Sequence, residues 1–179
     1  GYNEHGAHQQ LYTLRTTGPE TARWMWSQPM AMGVAPASRF GHSATMFENR
    51  MYVFGGTDGQ TVFSDLHVLT IHGDLSEGNW QWELVSPLHS SLAPPPVSFH
   101  SVLFLHEQVL MIYGGVNMLT RRTFNDSWFF SAVQNSWLQR PQSLDRGVAP
   151  IARKRTAIVL DEKNSKVIAS GGCTLKHCY

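Results

Sequence analysis

The side chains that could do chemistry in this 179-residue chain are few and scattered. His42 and His100 recur at equivalent positions, which invites a catalytic reading, but no nucleophile-and-base pairing is recognisable. Cys173, His177 and Cys178 fall within six residues and could offer a metal two thiolates and an imidazole. Structural zinc wants four ligands in two spaced pairs, and the second pair is absent, so two reduced thiols and no metal are expected. That usage favours a reducing, intracellular (cytoplasmic) setting. Arg153-Lys154-Arg155 is a basic triplet suited to an acidic partner or to nucleic acid, but it is short of the usual basic runs and reads as a solvated lead-in to a strand. His5 and His8 lie in a polar terminus, residues 1–9, expected to be frayed. Asn125-Asp126-Ser127 fits a glycosylation sequon, a triplet common by chance. No Gly-x-Ser-x-Gly or His-Glu-x-x-His motif is present. No catalytic residue and no cofactor are assigned.

Composition narrows the classes further. With 42% hydrophobic and 11% aromatic residues, the chain can build a core. A net charge of +1 removes the footprint of a nucleic-acid binder, and no run of apolar residues is long enough to cross a membrane as a helix. The charge is unevenly spread: residues 1–139 carry 6 Lys+Arg and 10 Asp+Glu, whereas residues 140–179 carry 8 and 3. The first residue is not Met and no signal peptide is in view, so the chain is expected to start inside a longer product.

The elements that must position these residues repeat. Gly-Gly pairs stand at 55–56, 114–115 and 171–172; Trp26, Trp82 and Trp137 follow the same period of about 57 residues, as do Pro36, Pro94 and Pro150. Each unit opens with two β-rich runs around a polar turn: Ser43–Phe47 and Met51–Phe54, Ser101–Leu105 and Val109–Tyr113, Thr156–Leu160 and Lys166–Ser170. After the glycines come a loop and a third strand, Asp65–Leu69 or Asp126–Phe130, and then a fourth with the tryptophan, Trp80–Val85 or Ser136–Leu138. No helical period persists. Four strands per unit with near-continuous apolar runs imply stacked antiparallel sheets buried on both faces.

These residues resemble the kelch repeat. Its apolar strand ending in Gly-Gly appears as Tyr52-Val53-Phe54-Gly55-Gly56, its Asp-led strand as Asp65-Leu66-His67-Val68, its spaced tryptophan as Trp82, and its Arg-x-Gly-His-Ser lead-in as Arg39 to Ser43. The resemblance covers Leu11 to Gly172 and implies an all-β fold of kelch-type β-propeller blades, one per repeat. Residues 10–30 are then strands three and four of a first blade, 34–87 and 94–141 are complete blades, and 150–172 are strands one and two of another; 173–179 is a terminal remnant. That amounts to a fragment of a larger propeller, with further blades or other domains expected in the full-length chain. Departures exist: Val97 and Phe99 replace Arg and Gly in the second unit, and Arg155, Thr156 and Ala157 replace Gly-His-Ser in the third. Leu69 and Phe130 stand where the pattern has Tyr, Gln10 stands for the strand Asp, and Ala169-Ser170 replace a bulky pair, so the last blade is expected to be the least stable.

Residues that recur once per blade serve the blade, whereas an active site needs different residues converging on one point. Arg39, Gly41, His42, Ser43, Gly55, Gly56, Asp65, Trp82, His100, Gly114, Gly115, Asp126, Trp137, Gly171 and Gly172 are therefore read as structural, and Trp26 with them. The glycine pairs are followed by another strand and not by a helix, which argues against phosphate binding. Function belongs to the loops. The candidates are Asp58, Gln60 and Phe63 in Thr57–Ser64, and Asn117, Arg121 and Arg122 in Val116–Asn125; the connections Ala31–Ser38, Leu88–Pro96 (with the stiff Pro94-Pro95-Pro96) and Gln142–Ala149 also qualify. The insertion Ile71–Asn79 is polar and has no assigned purpose. The resemblance implies a non-catalytic scaffold or adaptor that binds a protein partner, and the charge and hydropathy already predict no nucleic acid and no membrane as partners. The alternative is a propeller enzyme, a metal oxidase or sugar-modifying protein, with its site on the propeller face.

Overall fold

The structure is a computed structural model that describes residues 1–4, 6–16, 23–73, 79–87, 92–138 and 150–178, apart from the Glu107 side chain. The connection Gln142–Ala149, residues 88–91 of Leu88–Pro96, residues 74–78 of the insertion, and His5 lie outside the described residues.

Alternation of apolar residues between polar turns produces strands, and the strands form two complete blades with a hairpin at each end. The first complete blade contains β6 (Ser43–Phe47), β7 (Arg50–Phe54), β8 (Leu66–His72) and β9 (Asn79–Leu84) in an antiparallel meander. The second contains β10 (Ser101–Leu105), β11 (Val109–Tyr113), β14 (Ser127–Ser131) and β15 (Ser136–Leu138), with the short pair β12 (Val116–Asn117) and β13 (Arg122–Thr123) in the loop between β11 and β14. The paired register repeats: Phe54 lies opposite Leu66 as Tyr113 lies opposite Ser127, and Leu69 lies opposite Trp82 as Phe130 lies opposite Trp137. Before them comes the hairpin β3 (Thr13–Thr16) with β4 (Trp24–Ser27); after them comes β16 (Ala157–Asp161) with β17 (Lys166–Ser170). The first strands of successive units, β6, β10 and β16, lie side by side, so they form the inner edge of an arc of β-propeller blades. The helical content among the described residues is limited to 3-10 turns such as His106–Gln108 and Glu162–Asn164.

Two expectations are corrected here. The described residues of 1–9 are not frayed: β1 (Tyr2–Asn3) pairs with β2 (Gly6–Ala7), the Arg39 N–H donates to the His8 carbonyl, and Tyr2 packs on Phe40 with ring centroids 4.8 Å apart. The connection Ala31–Ser38 is partly strand: β5 (Ala31–Gly33) runs parallel to β9 and makes that sheet five-stranded. Gly33 is required there, because a Cβ would lie 2.1 Å from the Trp82 carbonyl oxygen.

Both faces of the first complete blade are covered. One core unites Tyr52, Phe54, Leu66 and Val68 of the first with Leu110, Ile112, Phe130 and Trp137 of the second. The other packs Val53, Leu69, Trp80 and Trp82 against Leu11 and Ala31 on the N-terminal side. Trp82 and Trp137 are thus core residues, 7% and 2% exposed. Trp26 is not: it is 69% exposed, and every residue of its strand β4 is exposed.

Candidate interaction surface

Strand one of each unit begins, and strand two ends, at the same end of the blade. That geometry gathers the three lead-ins (39–42, 97–100, 153–156) and the post-glycine loops on one end. Backbone hydrogen bonds tie them: the Phe99 N–H donates to the Gly41 carbonyl at 2.6 Å, and the Arg155 N–H donates to the Phe99 carbonyl at 2.8 Å. Gly56 N–H donates to Val97 O, and Gly115 N–H to Arg153 O, so each of the first two glycine pairs grips the next unit's lead-in. The second glycine is irreplaceable on two counts. Gly115 has φ +98°, and a Cβ there would sit 2.5 Å from Val97 Cγ2 and 2.8 Å from His100 Cβ.

The recurrent His and Ser residues complete this joint. Ser43 Oγ lies 2.5 Å from His100 Nε2, and Ser101 Oγ donates to the Thr156 carbonyl at the following joint. The Ser43–His100 contact has the form of a nucleophile and a base. Burial, with a smaller push from His42, brings the His100 imidazole down to about 3 and so makes it a weak base, and its Nδ1 finds no hydrogen-bond partner among the described residues. The Phe54 ring stands edge-on to it at 5.3 Å. His42 is lowered as well, first by burial and then by the positive N-terminus and Arg39. It lines a crevice of about 190 Å³ between the N-terminal segment and the first complete blade.

The first blade carries a polar clamp. Arg39, 2% exposed, donates from Nη1 and Nη2 to the Asp65 carboxylate at 2.6 and 2.9 Å and from Nη1 to the Gly55 carbonyl. His67 Nε2 lies 3.0 Å from Asp65 Oδ2. Burial would raise the Asp65 carboxyl, but the bonds from Arg39 and then His67 outweigh it and hold the group well below the usual carboxylate range. Arg153 repeats the backbone half of this pattern, donating to Ile151 O and Gly171 O as Arg39 does to Ala37 O and Gly55 O.

The candidate loop residues divide. Asp58 Oδ1 accepts the Gln60 and Thr61 N–H groups, Asn117 Oδ1 accepts those of Leu119 and Thr120, and Thr174 Oγ1 accepts those of Lys176 and His177. The second residue after each glycine pair therefore holds its own turn. The two bonds to Asp58 also lower its carboxyl. Phe63 is half-buried beneath the Arg39 guanidinium, 4.2 Å from its ring centre, and its carbonyl accepts from Val97 N–H. Gln60, Arg121 and Arg122 remain exposed. Residues the motif reading passed over also lie here: Arg155 stacks 4.7 Å over the Phe99 ring, and Phe99 stands edge-on to Phe40. Both occupy the left-handed backbone region that suits glycine, Phe99 at φ 54° and Arg155 at φ 57°, in register with Gly41 at φ 63°. Replacement of a repeated glycine was the available signal.

The cysteines are not reduced bystanders. Cys173 and Cys178 form a disulfide across the base of the third loop, where the first loop pairs Thr57 with Val62 and the second pairs Val116 with Thr123. The segment read as a terminal remnant is thus the third post-glycine loop. Among the described residues no three His, Cys, Asp or Glu side chains gather as a metal would need.

The family model described as the KLHDC2/KLHL20/DRC7 Kelch-repeats domain matches residues 1–172. The chain is 27% identical over 158 residues to Kelch domain-containing protein 2 of Bos taurus, covering 86% of this chain and 34% of that protein. It is 31% identical over 121 residues to Kelch domain-containing protein 1 of Mus musculus, covering 67% and 28%. It is also 36% identical over 116 residues to the Dynein alpha chain, flagellar outer arm, of Chlamydomonas reinhardtii, covering 63% of this chain and 2% of that one. The chain therefore spans about a third or less of the length of these relatives. Kelch-repeat domains generally mediate protein–protein interaction and are mostly non-enzymatic. The shared glycine pairs, lead-ins and blade register place the chain in the kelch-repeat family.

Proposed function

We propose that this chain is a protein-interaction module, a scaffold or adaptor segment, whose binding surface is the end of the blades that carries the glycine pairs. The observation that supports this reading is the joining of three lead-ins and three loops into one surface by the Gly41–Phe99–Arg155 backbone ladder. A rigid sheet base presents residues of different units at fixed separations, and Gln60, Arg121 and Arg122 are exposed on its loops. Asp58, Asn117 and Phe63 contribute by shaping those loops.

The test is a pair of loop exchanges followed by in-cell cross-linking and mass spectrometry. Residues 58–61 and 118–122 are replaced by Gly-Ser linkers in one protein; the turns 48–50 and 133–135, at the opposite end, are replaced in another. Partner capture is expected to disappear in the first protein and persist in the second. Equal capture by both overturns the assignment of this surface.

A further inference from the structure

The interaction surface is not uniform. Around the first loop the described side chains are Asp58, the Asp65–Arg39 pair and neutral residues. Around the second and third loops stand Arg121, Arg122, Lys154, Arg155 and Lys176, and among the described residues of these segments the only side-chain carboxylate is Asp126. The fold brings them to one side: Arg153 N–H donates to Phe124 O, and Lys154 pairs its backbone with Cys173, at 3.0 and 2.8 Å. The second loop, the third lead-in and the third loop are therefore one continuous strip.

Two of the cations are braced. Arg155 lies over the Phe99 ring, and the Arg122 guanidinium lies 5.2 Å from the Phe124 ring centre. A braced guanidinium loses less freedom when it meets an anion. Arg155 also occupies a backbone conformation that the first unit gives to Gly41, so its side chain is retained against local strain. The strip is apolar as well as basic, because Met118, Leu119 and Leu175 are 46%, 59% and 49% exposed on the same loops. A phosphate backbone has no use for such residues, whereas an acidic polypeptide with apolar side chains between its carboxylates satisfies both features.

We infer that this strip binds an acidic, apolar-interspersed segment of a partner protein. The inference rests on the interaction-module reading and names its partner class. The test uses the 179-residue chain and fluorescence anisotropy with a labelled peptide of alternating Glu and Leu, a matched peptide of Lys and Leu, and single-stranded oligo-dT. The acidic peptide is expected to bind, with an affinity that falls as salt rises. Changing Arg121, Arg122 and Arg155 together to Gln should weaken it at least tenfold, and Arg50→Gln with Lys163→Gln, at the opposite end, should leave it within twofold. Arg155→Gly should weaken binding while the protein melts no lower than the parent. Equal or tighter binding of oligo-dT or of the Lys peptide overturns the inference, as does an unaffected triple variant or a lower melting temperature for Arg155→Gly. If these fail while the loop exchanges still abolish partner capture, the module reading stands and only the partner class is wrong.

Discussion

The two complete blades share a register but solve one position differently. In the first, buried Arg39 reaches across to Asp65, which His67 also contacts, in a polar clamp. In the second, Val97 stands where the arginine would be, is 3% exposed, and joins the apolar core, while Asp126 is exposed. Both arrangements hold the same strands. The clamp is thus a local device that apolar packing can replace, consistent with the small net gain expected when ions are withdrawn from water. What both blades keep is the glycine pair, whose neighbours leave no room for a Cβ, and the buried tryptophan.

The sharpest way to break this comparison is to remove what the blades are said to share. Trp137→Ala should cost about 3–5 kcal/mol in urea unfolding, as large aromatic truncations in cores do, whereas Trp26→Ala should change stability by less than about 0.5 kcal/mol. Equal costs would show that Trp26 is packed. Next comes the clamp. Arg39→Ala should cost about 2–3 kcal/mol, less than a fully buried pair because Asp65 retains some solvent. Arg39→Val combined with Asp65→Asn, which approaches the second blade's solution, should recover at least half of that loss. If the double variant is worse than either single change, the two solutions are not interchangeable.

Smaller effects compare the loops and the joint. Reducing Cys173–Cys178 should cost at most about 2 kcal/mol on the loop-entropy scale for so short a ring. The turn itself should survive, because Thr174 holds it as Asp58 holds the first loop without any disulfide; amide exchange at Lys176 and His177 before and after reduction checks this. Acidification separates the joint from the clamp. In the folded protein burial brings His100 down to about 3 and also lowers His42, so the unfolded chain binds more protons below about pH 6.5 and stability falls as pH drops from there. Each such histidine contributes a slope of up to about 1.4 kcal/mol per pH unit. Asp65 has the opposite history: its contribution is complete above its ordinary value of 3.8 and is lost only as pH falls further. Urea midpoints at pH 7.5, 6 and 5 should therefore decline, and His100→Gln should flatten the decline while Asp65→Asn should not.

Much of this was legible beforehand because repetition averages out local ambiguity. Three glycine pairs and two buried tryptophans at one spacing placed strands such as Ser43–Phe47 and Lys166–Ser170 at the observed bounds. The candidate loops were legible as loops but not as roles. Asp58 and Asn117 look like ligands in a list of polar residues, and only their contacts show that they tie their own turns. The N-terminal hairpin was missed because Tyr2 and Phe40 are 38 positions apart and meet only through the fold. The disulfide was missed because two cysteines carry no framework pattern, and pairing depends on a bridge that the repeat places at the loop base.

What this sequence determined by itself is the blade: strand alternation, turn residues and a period of about 57 are properties of neighbours along the chain. What only the tertiary structure decided is which side of which blade matters. Burial of Trp82 and Trp137 against exposure of Trp26, the neutral His100 beside Ser43, and the strip from Arg121 to Lys176 all depend on which unit lies next to which. Stacking sets solvent access and charge proximity, and these long-range quantities have no counterpart in a local motif.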